Sequence, residues 1–330
     1  MARKALTLTV LAASLGALLT GCTAQYRADR AEAAFPPSGD FVEVTGGRVH
    51  YVQAGSGPDV VLLHGAGGNL RDYTFDLMGR LTDRYRVTAF DRPGMGYTDP
   101  APGVDGGPLS TDGASPAQQA RMLRDAAAAL DLEAPIVVGH SFGGIVAMAW
   151  ALEGLEEETP VNASAVVSLA GVMLPWPGGL GAYYTVNGSA FGGAVTVPLI
   201  SAYVPDRVVQ AAIAGTFDPN EMPDGYAEHI GAPLTLRPGP FRENVRQVNT
   251  LRPHVVEMET RYADLTLPIE ILHGEADETV PLRVHGGPMA ERYDNVHLTP
   301  LPGVGHMPHH TAPEEAVAAI DRAAARAGRD

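Results

Sequence analysis

The sequence of 330 residues is long enough for one large domain or two small ones, and its 45% apolar content excludes collagen-like and wholly disordered chains. It carries 23 basic and 38 acidic residues, a formal charge of −15. A surface this acidic repels phosphate backbones, so no nucleic-acid partner is expected.

The first 21 residues have the pattern of a signal peptide. Arg3 and Lys4 precede residues 5–19, an uncharged and mostly apolar run that is short for a bilayer span. Residues 19–22, Leu-Thr-Gly-Cys, resemble the lipobox of bacterial lipoproteins, in which cleavage precedes a cysteine that is then acylated. Cys22 is the only cysteine, so no intrachain disulfide and no cysteine-based zinc site can form.

Lipidation of Cys22 predicts a protein held at a membrane of the bacterial cell envelope without a spanning helix. The alternative is an ordinary signal peptide with an incidental cysteine, which predicts a secreted or soluble periplasmic protein. Residues 22–40 are rich in Arg, Ala, Asp, Pro, Ser and Gly, and are predicted to be a lipidated tether between the anchor and the fold.

Strand and helix patterns alternate from residue 41 onward. A hairpin with a two-glycine turn is predicted at 41–53, and a helix with a Ser-Pro start is predicted at 116–130. Further apolar strands are predicted at 59–63, 87–90, 135–138, 165–170, 269–272 and 296–301, with helices at 72–83 and up to residue 152. Apolar strands alternating with helices indicate an α/β fold with a mostly parallel sheet and helices on both faces.

The alternation stops between residues 172 and 262. This stretch is dense in Pro and Gly, contains Trp176, and has short helix-like pieces such as residues 206–213. Because strands resume at Ile269, it is predicted to be a cap or lid inserted into a core of residues 41–171 and 263–330. A peripheral stabilising excursion is the alternative.

Residues 139–143, Gly-His-Ser-Phe-Gly, fit the G-x-S-x-G pattern between a predicted strand and a predicted helix. The flanking glycines remove Cβ clashes, and the sharp turn exposes the hydroxyl of Ser141. The N-terminus of the following helix favours nearby negative charge. Ser141 is therefore predicted to be a nucleophile, with a structural glycine turn as the alternative.

A serine nucleophile needs a base and a carboxylate that orients the base. His306, which follows a predicted strand, is the best base among the 11 histidines, and Asp277, which follows another, is the best acid. Glu275 and Asp264 are its rivals. The order serine, aspartate, histidine is the one expected on this kind of sheet.

His309 and His310 lie close to the predicted base, at the expected start of the next helix, and a surface role is predicted for both. A histidine-rich metal site is the alternative there, although the neighbourhood lacks the spacing of metal ligands that would support one.

Backbone N–H groups usually hold the oxyanion in acyl transfer. One is predicted at Phe142, directly after the serine. The other is predicted at Ala66, in the small-residue turn after the strand at 59–63, with Gly67 as the fallback.

From about residue 41 to 319 the chain resembles α/β-hydrolase fold proteins of the single-domain, esterase-like type. The motifs that carry the resemblance are His64-Gly65, Asp91-Arg92-Pro93-Gly94-Met95-Gly96, Gly139-His140-Ser141-Phe142-Gly143-Gly144, His273-Gly274 with Asp277, and Gly305-His306. The resemblance implies a triad of Ser141, Asp277 and His306, an oxyanion hole of Ala66 and Phe142, and a helical cap. It also implies structural support from the 91–96 block.

Several relatives on this fold are disfavoured. Haloalkane dehalogenases and epoxide hydrolases have an aspartate at the position of Ser141, and dienelactone hydrolases have a cysteine there. Proline iminopeptidases typically have a proline in the first glycine turn, where residues 65–69 read Gly-Ala-Gly-Gly-Asn. Cofactor-free haloperoxidases and carbon–carbon bond hydrolases share the triad and remain open.

The expected function is that of a cell-envelope serine hydrolase that cleaves a small-molecule carboxylic ester through an acyl-enzyme, with no metal or organic cofactor. An amidase or peptidase with the same triad is the first alternative. A non-catalytic, lipid-anchored binding protein on a hydrolase scaffold is the second.

Overall fold

The structure is a computed structural model that describes residues 2–107 and 109–329. Eight strands form one sheet in the order β1-β2-β4-β3-β5-β6-β7-β8. They are β1 Asp40–Val44, β2 Gly47–Ala54, β3 Asp59–Leu63, β4 Arg86–Phe90, β5 Ile136–His140, β6 Ala165–Leu169, β7 Ile269–Gly274 and β8 Val296–Leu301. Strand β2 pairs antiparallel with both β1 and β4, and the other five pairings are parallel, which confirms the predicted mostly parallel sheet.

The α-helices of the described residues are α1 Ala2–Ala34, α2 Arg71–Thr74, α3 Leu77–Leu81, α4 Pro116–Ala129, α5 Phe142–Glu156, α6 Ala182–Gly188, α7 Val197–Tyr203, α8 Asp206–Gly215, α9 Tyr226–His229, α10 Pro238–Asn249, α11 Leu251–Glu259, α12 Gly286–Arg292, α13 Pro308–Thr311 and α14 Pro313–Arg326. Helix α4 starts as predicted, because the Ser115 hydroxyl accepts from the N–H of Gln118 at 3.1 Å and the Gln118 side chain accepts from the N–H of Ser115 at 2.9 Å. The single helix predicted at 72–83 is wrong, since α2 and α3 are separated by an extended φ of −151° at Asp76.

Two apolar layers cover the sheet. Successive residues of β3 point to opposite faces: Val61 and Leu63 pack in the layer that contains Trp150 of α5, and Val60 and Leu62 pack in the other. The first layer includes α4, α5 and α11, and the second includes α2, α3 and α14. Because both faces of the parallel strands are covered, the strand ends remain as the place where polar side chains can meet a ligand.

Between β6 and β7 the chain runs through helices α6 to α11, in the stretch predicted to be a cap. Helix α10 attaches this segment to the core through side chains that are almost fully buried. Gln247 donates to the carbonyl of Pro93 at 2.9 Å and accepts from the buried Arg92 at 3.0 Å. Glu243 and Arg246 form a buried ion pair at 2.6 Å.

The tether predicted at residues 22–40 is wrong in conformation. The chain is helical through Ala34, and only residues 35–39 lack regular structure. Three alanines of α1, at positions 24, 28 and 31, form one buried face, and Arg27 donates to the carbonyl of Val204 at 2.8 Å. The alanines that suggested a linker by composition are also strong helix formers. Among the described residues, no helix combines the length and apolar character needed to cross a bilayer.

Candidate active site

Ser141 occupies a sharp turn between a strand and a helix. Strand β5 ends at His140 and α5 begins at Phe142, so Ser141 alone makes the turn, with φ +52° and ψ −116°. A Cβ at Gly139 would clash with the carbonyl of Gly143, and a Cβ at Gly143 would clash with the carbonyl of Leu63 in β3. The two glycines of the motif are therefore required by close backbone packing, which holds Ser141 in its strained conformation.

Ser141, His306 and Asp277 form a hydrogen-bonded chain at the carboxyl edge of the sheet. The Nε2 atom of His306 lies 3.0 Å from Oγ of Ser141, and its Nδ1 lies 2.8 Å from Oδ2 of Asp277. A carboxylate only accepts, so Nδ1–H of His306 donates to it and the bare Nε2 of the neutral ring accepts from the serine hydroxyl. All three side chains are buried, so little water competes for these bonds.

The carboxylate of Asp277 is fixed at both oxygens. Its Oδ1 accepts from the N–H groups of Thr279 at 2.8 Å and Val280 at 2.9 Å. Burial raises the pKa of Asp277, but hydrogen bonds from His273, His306 and the N–H of Val280 lower it by a larger amount. The net pKa of Asp277 therefore lies well below its usual value. The residue therefore carries a full negative charge beside the imidazole.

The rival carboxylates lie on the surface. Glu275 and Asp264 are both exposed. Asp264 lies before β7, and Glu275 is the first residue after β7. Neither is recorded in a hydrogen bond or ion pair with His306 among the described residues, so the structure brings together the residues that the sequence favoured.

Ala66 and Phe142 line the same cavity as Ser141. Phe142 is the first residue of α5, so its N–H has no acceptor within the helix. In the part of the chain that the structure describes, the N–H of Ala66 makes no backbone or side-chain hydrogen bond, whereas that of Gly67 donates to Oδ1 of Asn244 at 2.7 Å. This favours Ala66 over Gly67 as the second donor.

The block at residues 91–96 supports the glycine turn that follows β3. Buried Asp91 accepts from His50 at 2.7 Å and from the N–H of Leu70 at 2.7 Å. Arg92 is fully buried and donates to the carbonyls of His64 at 2.8 Å and Gly65 at 3.1 Å. Burial lowers the pKa of Arg92 to about 9. Both charged residues hold backbone in place, consistent with the structural role that the resemblance implied.

The surface role predicted for His309 and His310 is wrong. Both side chains are buried around the carboxylate of Asp72, which lies 3.2 Å from Nε2 of His309 and 2.8 Å from Nε2 of His310. The same carboxylate accepts from the hydroxyl of Tyr226 at 2.7 Å. Burial raises the pKa of Asp72, but His309 and His310 lower it well below its usual value. Sequence reasoning missed this cluster, because its members come from α2, α9 and α13 and no local pattern relates them.

Asp72, His140 and His309 bring three potential metal-ligand atoms within 4.8 Å of one another. The sequence predicted no metal ligands here, on the basis of local spacing. A metal-bound histidine normally donates its other ring N–H to an acceptor, but Nδ1 of His309 is buried with no hydrogen-bond partner among the described residues. Its Nε2 instead points at the carboxylate as a hydrogen-bond donor would, so the donor set fits a hydrogen-bonded cluster better than a metal centre.

A cavity of about 590 Å³ lies over Ser141. It is bounded on one side by the glycine turn after β3 and by His306, and on the other by the segment between β6 and β7. Apolar residues of that segment that line it are Trp176, Leu180, Tyr184, Ile213, Val248 and Leu251. A volume and lining of this kind suit a small, largely apolar organic molecule.

Known proteins share this architecture. An uncharacterized protein of Mycobacterium tuberculosis is 29% identical over 290 residues, which is 87% of this chain and 81% of that protein. A 2-hydroxy-6-oxo-6-phenylhexa-2,4-dienoate hydrolase of Burkholderia cepacia is 24% identical over 262 residues, 78% of this chain and 85% of that protein. Among solved structures, a thermophilic esterase from Thermogutta terrifontis superimposes with a TM-score of 0.67 at 18% identity, covering 88% of this chain and 99% of that one.

The mostly parallel eight-stranded sheet with helices on both faces has the α/β-hydrolase fold, which solved structures that superimpose on this chain share. A profile of the Alpha/beta hydrolase family matches residues 60–320, which is most of the chain and includes Ser141, Asp277 and His306. The protein therefore belongs to the alpha/beta hydrolase family.

Proposed function

We propose that the protein is a serine hydrolase that cleaves a small carboxylic ester through an acyl-enzyme at the bacterial cell envelope. The observation that carries the proposal is the hydrogen-bonded chain of Ser141, His306 and Asp277, which ends at a strained turn inside an apolar cavity. Geometry of this kind is recognised by the roles it allows rather than by position in the sequence.

In the proposed first step, Nε2 of His306 takes the hydroxyl proton of Ser141 as Oγ attacks the ester carbonyl carbon. The carbonyl π electrons move to oxygen, and the N–H groups of Ala66 and Phe142 hold the resulting oxyanion. Asp277 stabilises the imidazolium through Nδ1. When the tetrahedral intermediate collapses, His306 returns the proton to the departing alcohol oxygen and the acyl group remains on Oγ.

In the second step, His306 takes a proton from water, and the water oxygen attacks the acyl carbon. Collapse of the second intermediate breaks the bond to Oγ, His306 returns the proton to Ser141, and the carboxylic acid leaves. Each proton that His306 takes is given back within the same half-reaction, so the cycle balances with ester and water as the only reactants. No metal or organic cofactor is needed.

Removal of the nucleophile tests this proposal. Ser141→Ala should abolish hydrolysis of a short p-nitrophenyl ester and labelling by a fluorophosphonate probe, while circular dichroism and the unfolding temperature stay close to those of the unmodified protein. Ser56→Ala, at an exposed loop position, is the matched control and should retain both activities. Unreactive wild-type protein would favour the binding-protein alternative, and turnover by Ser141→Ala would exclude Ser141 as the nucleophile.

An amidase or peptidase would use the same residues, but His306 would have to protonate a poor amine leaving group. Matched ester and amide substrates with one acyl group separate the two activities. We expect kcat/KM to favour the ester strongly, and a preference for the amide would overturn that part of the proposal.

Carbon–carbon bond hydrolysis is a second candidate, because the Burkholderia cepacia relative is named for a dienoate substrate. The match to that relative covers 78% of the present chain. The apolar cavity lining is compatible with an aryl group. Turnover of 2-hydroxy-6-oxo-6-phenylhexa-2,4-dienoate, compared with that of a p-nitrophenyl ester, measures which reaction the chain prefers.

The envelope location rests on the lipobox-like residues 19–22 and on the exposed Cys22. We propose that Cys22 is acylated after cleavage and anchors the enzyme to a membrane. In a bacterial host, mass spectrometry should find a diacylglyceryl modification on Cys22, and Cys22→Ser should move the protein to the soluble fraction. An unmodified Cys22 with soluble protein would favour a secreted or periplasmic enzyme.

A further inference from the structure

The chain from just before β6 to the end of α7 is uncharged to an unusual degree. Residues 159–205 contain no Asp, Glu, Lys, Arg or His, although 18% of the whole chain is charged. The first part of this run forms the buried strand β6, where the lack of charge has a structural reason. Helices α6 and α7 and the π-helical turn Gly192–Thr196 lie on the surface, where burial does not explain it.

These surface helices expose large apolar side chains. Phe191, Val195, Leu199 and Tyr203 recur at every fourth position along the helical stretch at 191–203, and 62%, 39%, 44% and 53% of each side chain is exposed, respectively. Tyr183 and Val186 of α6 extend the set. We call these six residues the cap face. Single exposed apolar residues are common, but a grouped and uncharged set marks an interaction surface.

The cap face adjoins the predicted anchor. In the uncleaved chain the hydroxyl groups of Thr20 and Tyr203 lie 3.3 Å apart, which places α1 beside the end of α7, and Cys22, two positions further along α1 and retained after the proposed cleavage, is exposed. Arg27 of the same helix donates to the carbonyls of Ala202 and Val204 at 3.2 and 2.8 Å, at the end of α7.

The anchor is therefore joined to the cap by a docked helix, not by a flexible linker. Ala24 and Ala28 of α1 are buried, and Glu32 pairs with Arg237 at 2.8 Å. A lipid attached to Cys22 would enter the bilayer beside Tyr203, and the docked helix leaves the body of the protein little freedom to turn away.

We propose that the cap face lies on the lipid bilayer and, together with Cys22, sets the orientation of the protein. Aromatic and aliphatic side chains such as those of Tyr183, Phe191 and Leu199 suit the interfacial region of a membrane. Because the face has no charge, its attraction to the bilayer is hydrophobic and independent of the lipid headgroup charge. This suits a chain with a formal charge of −15, which anionic lipids would repel.

The orientation has a consequence for the substrate, which rests on the proposed ester hydrolysis. The uncharged run that bears the cap face also supplies Trp176, Leu180 and Tyr184 to the cavity wall. The cavity wall and the proposed bilayer contact therefore belong to one segment, so we expect the substrate to be an apolar ester dissolved in the membrane.

Depth-sensitive labels test the orientation. In the full chain with Cys22→Ser, single-cysteine variants Phe191→Cys and Leu199→Cys are labelled with an environment-sensitive fluorophore and mixed with phosphatidylcholine vesicles that contain a doxyl-lipid quencher. Leu155→Cys, at a position 46% exposed on α5, is the matched control. Because α1 docks beside α7, the three variants are also compared without residues 1–21, the predicted signal peptide, so that its exposed leucines cannot by themselves bring position 199 to the vesicles.

We expect a blue-shifted emission and about twofold or greater quenching at positions 191 and 199, because interfacial helices bury about 5–10 Å deep in the membrane. Both signals should be the same in 0.5 M salt. The label at position 155 should change little. Equal signals at all three positions would overturn the proposal. A blue shift without vesicles that grows with protein concentration would assign the face to a second copy of the chain instead. Ester hydrolysis by the same labelled samples is read separately, so failure of the proposed activity and failure of the orientation are distinguishable.

Discussion

Replacing Asp277 with asparagine tests the proposed catalytic chain at its least exposed member. In the structure Oδ1 of Asp277 accepts two backbone N–H groups, from Thr279 and Val280, and Oδ2 faces Nδ1 of His306 at 2.8 Å. An asparagine NH2 group cannot accept from N–H donors. The amide oxygen of Asp277→Asn must therefore take the Oδ1 position, which leaves the NH2 group pointing at His306.

That arrangement reverses the tautomer of the imidazole. Nδ1 of His306 becomes the acceptor, so the ring proton moves to Nε2. A protonated Nε2 can no longer accept the proton of Ser141. In the trypsin-type triad the equivalent change lowers kcat about 10⁴-fold. Because each tenfold change corresponds to about 1.36 kcal/mol, the expected loss is about 5 kcal/mol of transition-state stabilisation.

The assay is kcat for a p-nitrophenyl ester at neutral pH, with the unfolding temperature measured in parallel. Glu275→Gln, at an exposed position in the same loop, is the control and should keep kcat within about twofold, as expected for a surface change. If Asp277→Asn retained a kcat within tenfold of the original while remaining folded, the tautomer argument and the assigned role of Asp277 would both be wrong.

Three further outcomes concern stability, measured by urea unfolding. Gly143→Ala should lower the free energy of unfolding by about 1–3 kcal/mol because its Cβ meets backbone, whereas Gly239→Ala, with open space around it, should not; equal effects would contradict the packing argument. Burial lowers the pKa of His64 from 6.5 to about 4, so the unfolded chain binds a proton first. His64 should therefore contribute about 3 kcal/mol to the fall in stability between pH 7 and pH 4, and His64→Gln should reduce the fall by about that amount, while His140, His285 and His309, whose pKa values burial also lowers, account for the remaining fall; a fall of the same size in the variant would exclude the His64 contribution. Tyr226→Phe removes a hydrogen bond to buried Asp72 and should cost about 2 kcal/mol, and a cost near zero would show that the hydroxyl is dispensable.

Local patterns in the sequence were sufficient for the strands and for the turn at Ser141. The apolar strands were predicted to within about two residues at their ends, because their hydrophobicity reflects burial on both faces of a parallel sheet. Gly139 could be predicted for a local reason, since a Cβ there would meet the carbonyl of Gly143 four residues further on, whereas the close contact of Gly143 is with Leu63 of β3. His306 and Asp277 could be chosen because each lies in the loop that follows an apolar strand.

Tertiary structure alone decided which neighbours these local features meet. Ala66 is favoured over Gly67 as an oxyanion donor because the N–H of Gly67 donates to Asn244, which lies 177 positions along the chain. His309 became a buried residue because a carboxylate in α2, Asp72, lies against it. The helix after Cys22 docks through alanines whose burial requires a complementary surface on α7. Propensity and periodicity act over a few residues, whereas hydrogen bonds and burial join side chains that the sequence separates by hundreds, and only the folded chain brings those together.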